Sequence, residues 1–346
     1  MKFALITHLP WPEDTDARSI VEQTTDDIIL GEELGFHSAW LAEHHFTRYG
    51  IGSSALVFAS AIAARTNEIR LGTAVLVPPL HNPIRLAEDT ATLDLISNGR
   101  FDAGFGRGAS RSEFTPYGVD HSDTQASFQE SVNMIRGMWT TPEYTHKGNH
   151  YSVHQANLVP PPVQQPHPPI YIAATRTRET LEFAVSNGFP TMIGLTVDTA
   201  PALELCHRYE AMSAEAGHNV TVGDIPFFRY CYLAETEEQA RQDAYKSLNW
   251  VIDLLQWRGT LNGASEASNS IDEWRRTRGN PSLTFDHVAE HRSIIGTPEQ
   301  CVEKIKALQA QGVEYFGCNF AFGGMPRDKV KAAMRLFGEE VMPHFD

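Results

Sequence analysis

Eight short apolar segments, each followed by a helical pattern, recur along this chain of 346 residues. They span 3–7, 38–42, 69–77, 101–105, 169–174, 190–195, 227–234 and 315–322, and β-branched or aromatic residues dominate them. None shows the polar alternation of a half-exposed strand, so each reads as a strand buried on both faces. Between them lie helical patterns such as 22–34, stopped by Gly35, and 298–311, which Thr297 can cap and Gly312 ends. Strands alternating with helices predict a parallel sheet, and eight repeats in this length predict one (β/α)8 TIM barrel over residues 1–346. A doubly wound open sheet would give the same pattern, because periodicity does not report closure.

Two stretches interrupt the alternation. Residues 108–168 hold a helical pattern over about 125–139, a hairpin signal at Lys147-Gly148-Asn149, and a proline-rich connector from Pro160 to Pro169. Residues 258–284 form a long polar segment with Gly259, Gly263 and Gly279, expected to be a mobile loop serving as a lid. The formal charge of −15 argues against nucleic acid or an anionic membrane as partner, so an anionic ligand would need its own cationic pocket. The longest apolar runs fall short of the ~20 residues that cross a bilayer. Four cysteines without CxxC spacing and no export signal point to a cytoplasmic protein with reduced thiols.

Chemistry belongs at the C-terminal ends of such strands. The second strand runs into Glu43-His44-His45-Phe46, three ionisable groups in a row. Adjacent histidines on extended backbone face opposite ways, so one can enter the barrel mouth while the other faces the helices. An imidazole titrates near neutrality and suits acid–base work. The ordinary alternative is a pair of hydrogen-bonded structural histidines, one oriented by Glu43. A metal site is not indicated, since adjacent histidines on a strand cannot both ligate easily and no third ligand has telling spacing.

The fourth strand ends in Gly104-Phe105-Gly106-Arg107-Gly108-Ala109. This approaches the dinucleotide fingerprint but lacks the following strand and acidic residue, so that reading fails on context. Glycines here let a ligand approach the backbone, and Arg107 offers a fork to a phosphate, a surface salt bridge being the alternative. After the fifth strand, Thr175-Arg176-Thr177-Arg178 opens a helix whose N-terminus favours an anion, beside Arg107 in a barrel. Plain capping with solvated arginines is the alternative there.

The ordered set Glu43-His44-His45-Phe46-Thr47, Gly72-Thr73-Ala74, His81-x-Pro83-x-Arg85-x-x-Glu88-Asp89, Gly99-Arg100-Phe101, Arg107-Gly108, Trp250, Gly296-Thr297-Pro298 and Val341-Met342-Pro343 resembles the flavin-dependent monooxygenases of the bacterial luciferase family, especially the catalytic alpha subunit. The resemblance spans nearly the whole chain. It implies a non-prolyl cis peptide at Ala74-Val75 under the flavin ring. His44 would be the active-site base or hydrogen-bond partner, with Glu43, His45 and Glu113 supporting the site. Arg107 would bind the FMN phosphate with Thr175 and Arg176, and Phe46, Phe114 and Trp250 would line the substrate pocket. Glu88 would lie at a homodimer interface.

The implied activity is that of a two-component monooxygenase. A separate NAD(P)H-dependent flavin reductase supplies FMNH2, which reacts with O2 to a C4a-hydroperoxyflavin that oxygenates a small apolar or aromatic organic substrate. Where the light-emitting alpha subunit has a reactive cysteine, this chain has Gly106, expected to leave room beside the flavin and to make the enzyme non-luminescent. The rival readings are a hydride-transferring oxidoreductase of the same superfamily using the deazaflavin F420, and a non-catalytic flavin-binding protein.

Overall fold

A computed structural model describes residues 1–13, 15–175, 177–261, 264–266, 269–279 and 283–345. The strands in chain order are β1 (Lys2–Thr7), β2 (Ser38–Leu41), β3 (Arg70–Thr73), β4 (Phe101–Phe105), β5 (Tyr144–Lys147), β6 (Ser152–Ala156), β7 (Ile170–Ile172), β8 (Phe227–Leu233), β9 (Ser293–Gly296) and β10 (Tyr315–Asn319). The parallel sheet runs β7-β4-β3-β2-β1-β10-β8-β9. Residues 191–193 close it: Thr191 bridges Ile172 of β7, and Ile193 bridges Phe227 of β8. The eight staves are therefore the eight segments expected from the sequence, joined as a barrel rather than an open sheet. β9 is an additional strand, paired to the distal half of β8 from Tyr230–Ser293 to Leu233–Gly296.

The barrel interior is packed with rings. Trp40 is fully buried, meets Tyr171 edge-on at 5.1 Å, and donates its indole N–H to Ser38 Oγ at 3.0 Å. Gly72 makes that ring possible, since a Cβ there would lie 2.3 Å from Trp40. Burying an aromatic ring this size contributes on the order of 2–3 kcal/mol. At the opposite end from the mouth, Arg70 grips the buried Asp102 through two hydrogen bonds of 2.6 and 2.9 Å.

Helices cover the outside: α1 (Ala17–Glu33), α2 (Ala55–Ala63), α3 (Pro83–Ile96), α4 (Arg111–Phe114), α5 (Thr124–Thr140), α6 (Arg178–Ser186), α7 (Thr199–Glu215), α8 (Glu237–Thr260), α9 (Ile271–Thr277), α10 (Phe285–His291), α11 (Pro298–Gln309) and α12 (Arg327–Glu340). Thr297 caps α11 in a reciprocal box with Gln300, and Gly312 follows it in the left-handed region. In the first insertion, β5 and β6 form the expected antiparallel hairpin. Glu130 of α5 fastens it by accepting the N–H groups of Asn149, His150 and Tyr151.

The second insertion differs from the loop expected. It contains α9, none of whose residues is buried. Ser270 caps it, acids occupy its first turn and arginines its last, and its half-buried Ile271 and Trp274 pack against the core. Asn262, Gly263, Ala267, Ser268 and 280–282 of that insertion lie outside the described residues.

Candidate active site

At the end of β2 the chain turns through Glu43, His44 and His45, and the two imidazoles part as the extended backbone requires. His45 is buried and brings Nε2 to 2.7 Å from Glu43 Oε1, with its Nδ1 3.0 Å from the Tyr117 hydroxyl. The same Glu43 oxygen meets His81 Nε2 at 2.8 Å, and Glu43 Oε2 accepts the Val77 N–H at 3.0 Å. Burial pushes the Glu43 carboxyl up, but hydrogen bonds from His45 and His81 outweigh it and hold it down at about 2. Burial alone would lower His81; the Glu43 partner raises it instead. Glu43 thus ties the β2 end to the segment after β3, where the Ala74–Val75 peptide is cis, as the resemblance implies.

His44 faces the other way. Its Nδ1 lies 3.2 Å from Glu113 Oε1 on α4. That same oxygen accepts Arg258 Nη2 from the last turn of α8 at 2.5 Å. Burial raises Glu113, and His44 and Arg258 overcome this to hold it lowered, hence ionised. An ionised Glu113 accepts from Nδ1–H and leaves Nε2 as the basic nitrogen of the neutral ring. His8 stacks on His44 at 5.7 Å. Burial, with His44 and Arg258 nearby, drives His8 down to about 3, so it stays neutral at physiological pH. Arg258 also sits 3.1 Å from Glu266 Oε1, at ion-pair distance but outside hydrogen-bond alignment, and 5.2 Å over the Tyr49 ring.

The flank expected to take a phosphate is built from the β4–β7 pairing, which sets Phe105 opposite Ile172. Beyond it come Gly106-Arg107 on one strand and Ala173–Thr175 on the other. Arg107 is half-buried and makes no hydrogen bond or ion pair among the described residues. Thr177 caps α6 without a side-chain hydrogen bond, so its first N–H groups lack that partner. A free guanidinium beside an uncapped helix N-terminus fits a phosphate. Arg178 is tied to Glu182 at 2.6 Å on the surface, and Arg176 lies outside the described residues. Gly106 does not open the room expected of it: a Cβ there would meet Val75 Cγ2 at 2.5 Å, because Val75 already fills the space.

A cavity of about 660 Å³ opens beside His44, and Trp11, Phe46, Leu254, Trp257 and Ile271 wall it. That volume suits a small organic ligand. Of the three aromatic residues expected in the substrate pocket, Phe46 lines this cavity. Phe114 is buried against His121 and under Gly108, where a Cβ would meet its Cζ at 2.5 Å. Trp250 is set back behind the wall, donating its indole N–H to Glu13 at 2.9 Å, and Glu13 does line the cavity. Trp257, two turns along α8, is the tryptophan on the cavity from that helix. Sequence reasoning missed His8, Trp257, Arg258 and Glu266, drawn in from distant segments, and Arg48 and Tyr49, which follow the Glu43–Phe46 run.

A barrel with a histidine–carboxylate pair at its mouth, a phosphate-ready flank and an organic-sized cavity is a cofactor-dependent enzyme scaffold. Residues 2–315 match the luciferase-like monooxygenase family, and the chain belongs to it. It is 28% identical to the oxygenase component of the flavin-dependent trigonelline monooxygenase of Acinetobacter baylyi, covering all of this chain and 96% of that one. It is 27% identical to the alkanal monooxygenase alpha chain of Photorhabdus luminescens, over 91% of this chain and 88% of that one. Among solved structures, the monooxygenase RslO1 from Streptomyces bottropensis superposes with a TM-score of 0.86 at 27% identity, each chain covered completely. The chain is a flavin-dependent oxidoreductase of this monooxygenase family.

Proposed function

We propose that this chain is the oxygenase half of a two-component system, taking FMNH2 and O2 to oxygenate a small apolar or aromatic organic substrate. A separate NAD(P)H-dependent flavin reductase is its partner. The observation that carries the reading is the placement of His44: fixed by Glu113 on one nitrogen, it faces the same cavity that the aromatic walls enclose. Reduced flavin, when bound, would supply the oxygen chemistry. The chain's own residues do the rest. Arg107, the α6 N-terminus with Thr175, and Arg176 would hold the phosphate, and Ala74, Val75 and Gly106 would flank the ring. His44 moves the proton. The 258–284 segment, reaching the cavity through Glu266 and Ile271, keeps water out.

The name of the Acinetobacter relative, an oxygenase component, supports the need for a reductase. Exposed Val57 on α2 and Leu95 and Ile96 on α3 support a homodimer through these helices, near Glu88. No described helix is long and apolar enough to cross a membrane, which accords with a cytoplasmic enzyme.

Rapid mixing of the protein–FMNH2 complex with oxygenated buffer tests the reading. A transient absorbance distinct from FMNH2 and FMN is expected, with oxygenation slowed about 100-fold or more in His44→Ala. Direct oxidation to FMN without a transient, together with tight F420 binding, would replace it by hydride transfer.

A further inference from the structure

Three charged side chains line the cavity beside His44, and they are not equivalent. Glu13 accepts the Trp250 indole N–H on one oxygen, and its other oxygen is buried. Glu266 accepts the Arg48 backbone N–H at 3.0 Å on one oxygen, and its other lies buried beside Arg258. Both acids are therefore turned into protein. Arg48 is the opposite case. Its guanidinium carbon lies 4.3 Å over the Trp11 ring, and Nη1 donates to the Trp11 carbonyl at 3.2 Å. The Trp11 indole is itself pinned, donating to the Thr15 carbonyl at 2.7 Å. Arg48 has no carboxylate partner among the described residues, and its Nε and Nη2 are neither hydrogen-bonded nor buried.

A guanidinium stacked on a fixed indole is a pre-oriented fork with two donors left over, a geometry matched to a carboxylate. Among the described residues no carboxylate pairs with it, although the chain carries a net charge of −15. It is also distinct from the phosphate side, since Arg107 leaves from β4 and Arg48 from the loop after β2. We infer that Arg48 is a specificity residue that grips an anionic group of the substrate, and that the enzyme acts on an aromatic carboxylic acid. The ring would lie among Phe46, Trp257 and Leu254, with its reacting edge toward His44. This rests on the monooxygenase reading for the reaction, but not for the binding.

Isothermal titration of the purified chain with 2-naphthoate and with its methyl ester separates charge from ring. Wild type is expected to bind the acid about tenfold or more tightly than the ester. Arg48→Met should erase that preference, and Arg48→Lys should keep part of it, because a point charge replaces the fork. FMN affinity, measured on the same variants, should not move, which also reports that they fold. Equal binding of acid and ester, no binding of either, or a preference that survives Arg48→Met would overturn the inference. So would a loss of FMN affinity in Arg48→Met, which would place Arg48 on the cofactor. Acid preference in a protein that forms no oxygen-dependent flavin transient would overturn the monooxygenase reading and leave this one standing; a transient without acid preference would do the reverse.

Discussion

Glu43 and Asp27 are both buried carboxylates packed against the barrel, and the protein treats them in opposite ways. Glu43, at the mouth, has partners on both oxygens: His45, His81 and the Val77 N–H. Asp27, on α1, faces a void of about 30 Å³ between α1, α12 and the barrel wall, room for a single water, and neither of its oxygens has a hydrogen bond of good geometry. Burial raises its carboxyl to about 7, only slightly relieved by Lys331, Arg327 and Gln23. The contrast is between the two acids themselves: Glu43 is satisfied on both oxygens and Asp27 on neither. A buried carboxylate stabilises a fold only when its partners replace the water it lost.

The largest effect should come from removing the satisfied acid. Glu43→Ala leaves two imidazoles and a backbone N–H facing a buried gap, and should cost about 3–5 kcal/mol in urea denaturation. Because the folded carboxyl is held near 2, below its ordinary 4.5, wild type keeps this stability above pH 4.5 and loses it as pH falls towards 2. The variant should lose that acid dependence. A wild-type-like midpoint at pH 7 would break the comparison at its mouth end.

Asp27→Asn should act with the opposite sign. With its folded carboxyl near 7 against an ordinary 3.8, the native state holds a proton that the unfolded chain releases between those values. Wild-type stability therefore falls as pH rises from 3.8 to 7, by up to about 4 kcal/mol. Asn keeps the shape without the charge, so the variant should be more stable by about 2 kcal/mol at pH 8, with the gain fading near pH 4. Destabilisation at pH 8 would mean that Asp27 has a partner.

How much of this was legible depends on whether the determinant is local. The eight staves were readable because strands buried on both faces must be largely apolar, as in Phe3-Ala4-Leu5-Ile6 of β1. β9 was not, because Ser293–Gly296 is four residues long and runs directly into the Thr297 cap, so it reads as the approach to α11. α9 was hidden because it is two turns long, fully buries no residue, and offers only Ile271 and Trp274 as an apolar edge. At the site, Glu43, His44 and His45 announce themselves by adjacency at a strand end. Arg258 reaches Glu113 across 145 residues, and only the closed barrel brings them together. Arg48, three residues past His45, was open to notice as a cation in an acidic chain. What hid it was that its meaning depends on the Trp11 ring beneath it and on the lack of a carboxylate partner among the described residues.

Gly106 sharpens the comparison on the mouth side, where the strand ends are tightly packed. By resemblance this is the position of a cysteine, and the sequence suggests that glycine leaves space. Yet a Cβ at 106 would approach Val75 Cγ2 to 2.5 Å, with Val75 Cβ at 3.4 Å and Ala173 Cβ at 3.5 Å. Restoring the thiol therefore requires Val75 to move, and Gly106→Cys should destabilise by about 1–3 kcal/mol as an overpacked site. Val75→Ala should accommodate it, so the Gly106→Cys/Val75→Ala pair should be more stable than the sum of its single costs predicts, a coupling of about 1 kcal/mol in a double-mutant cycle. Additive costs would mean that the strand ends relax independently and that position 106 is open space after all. Coupling would mean that glycine at 106 and valine at 75 are one packing choice.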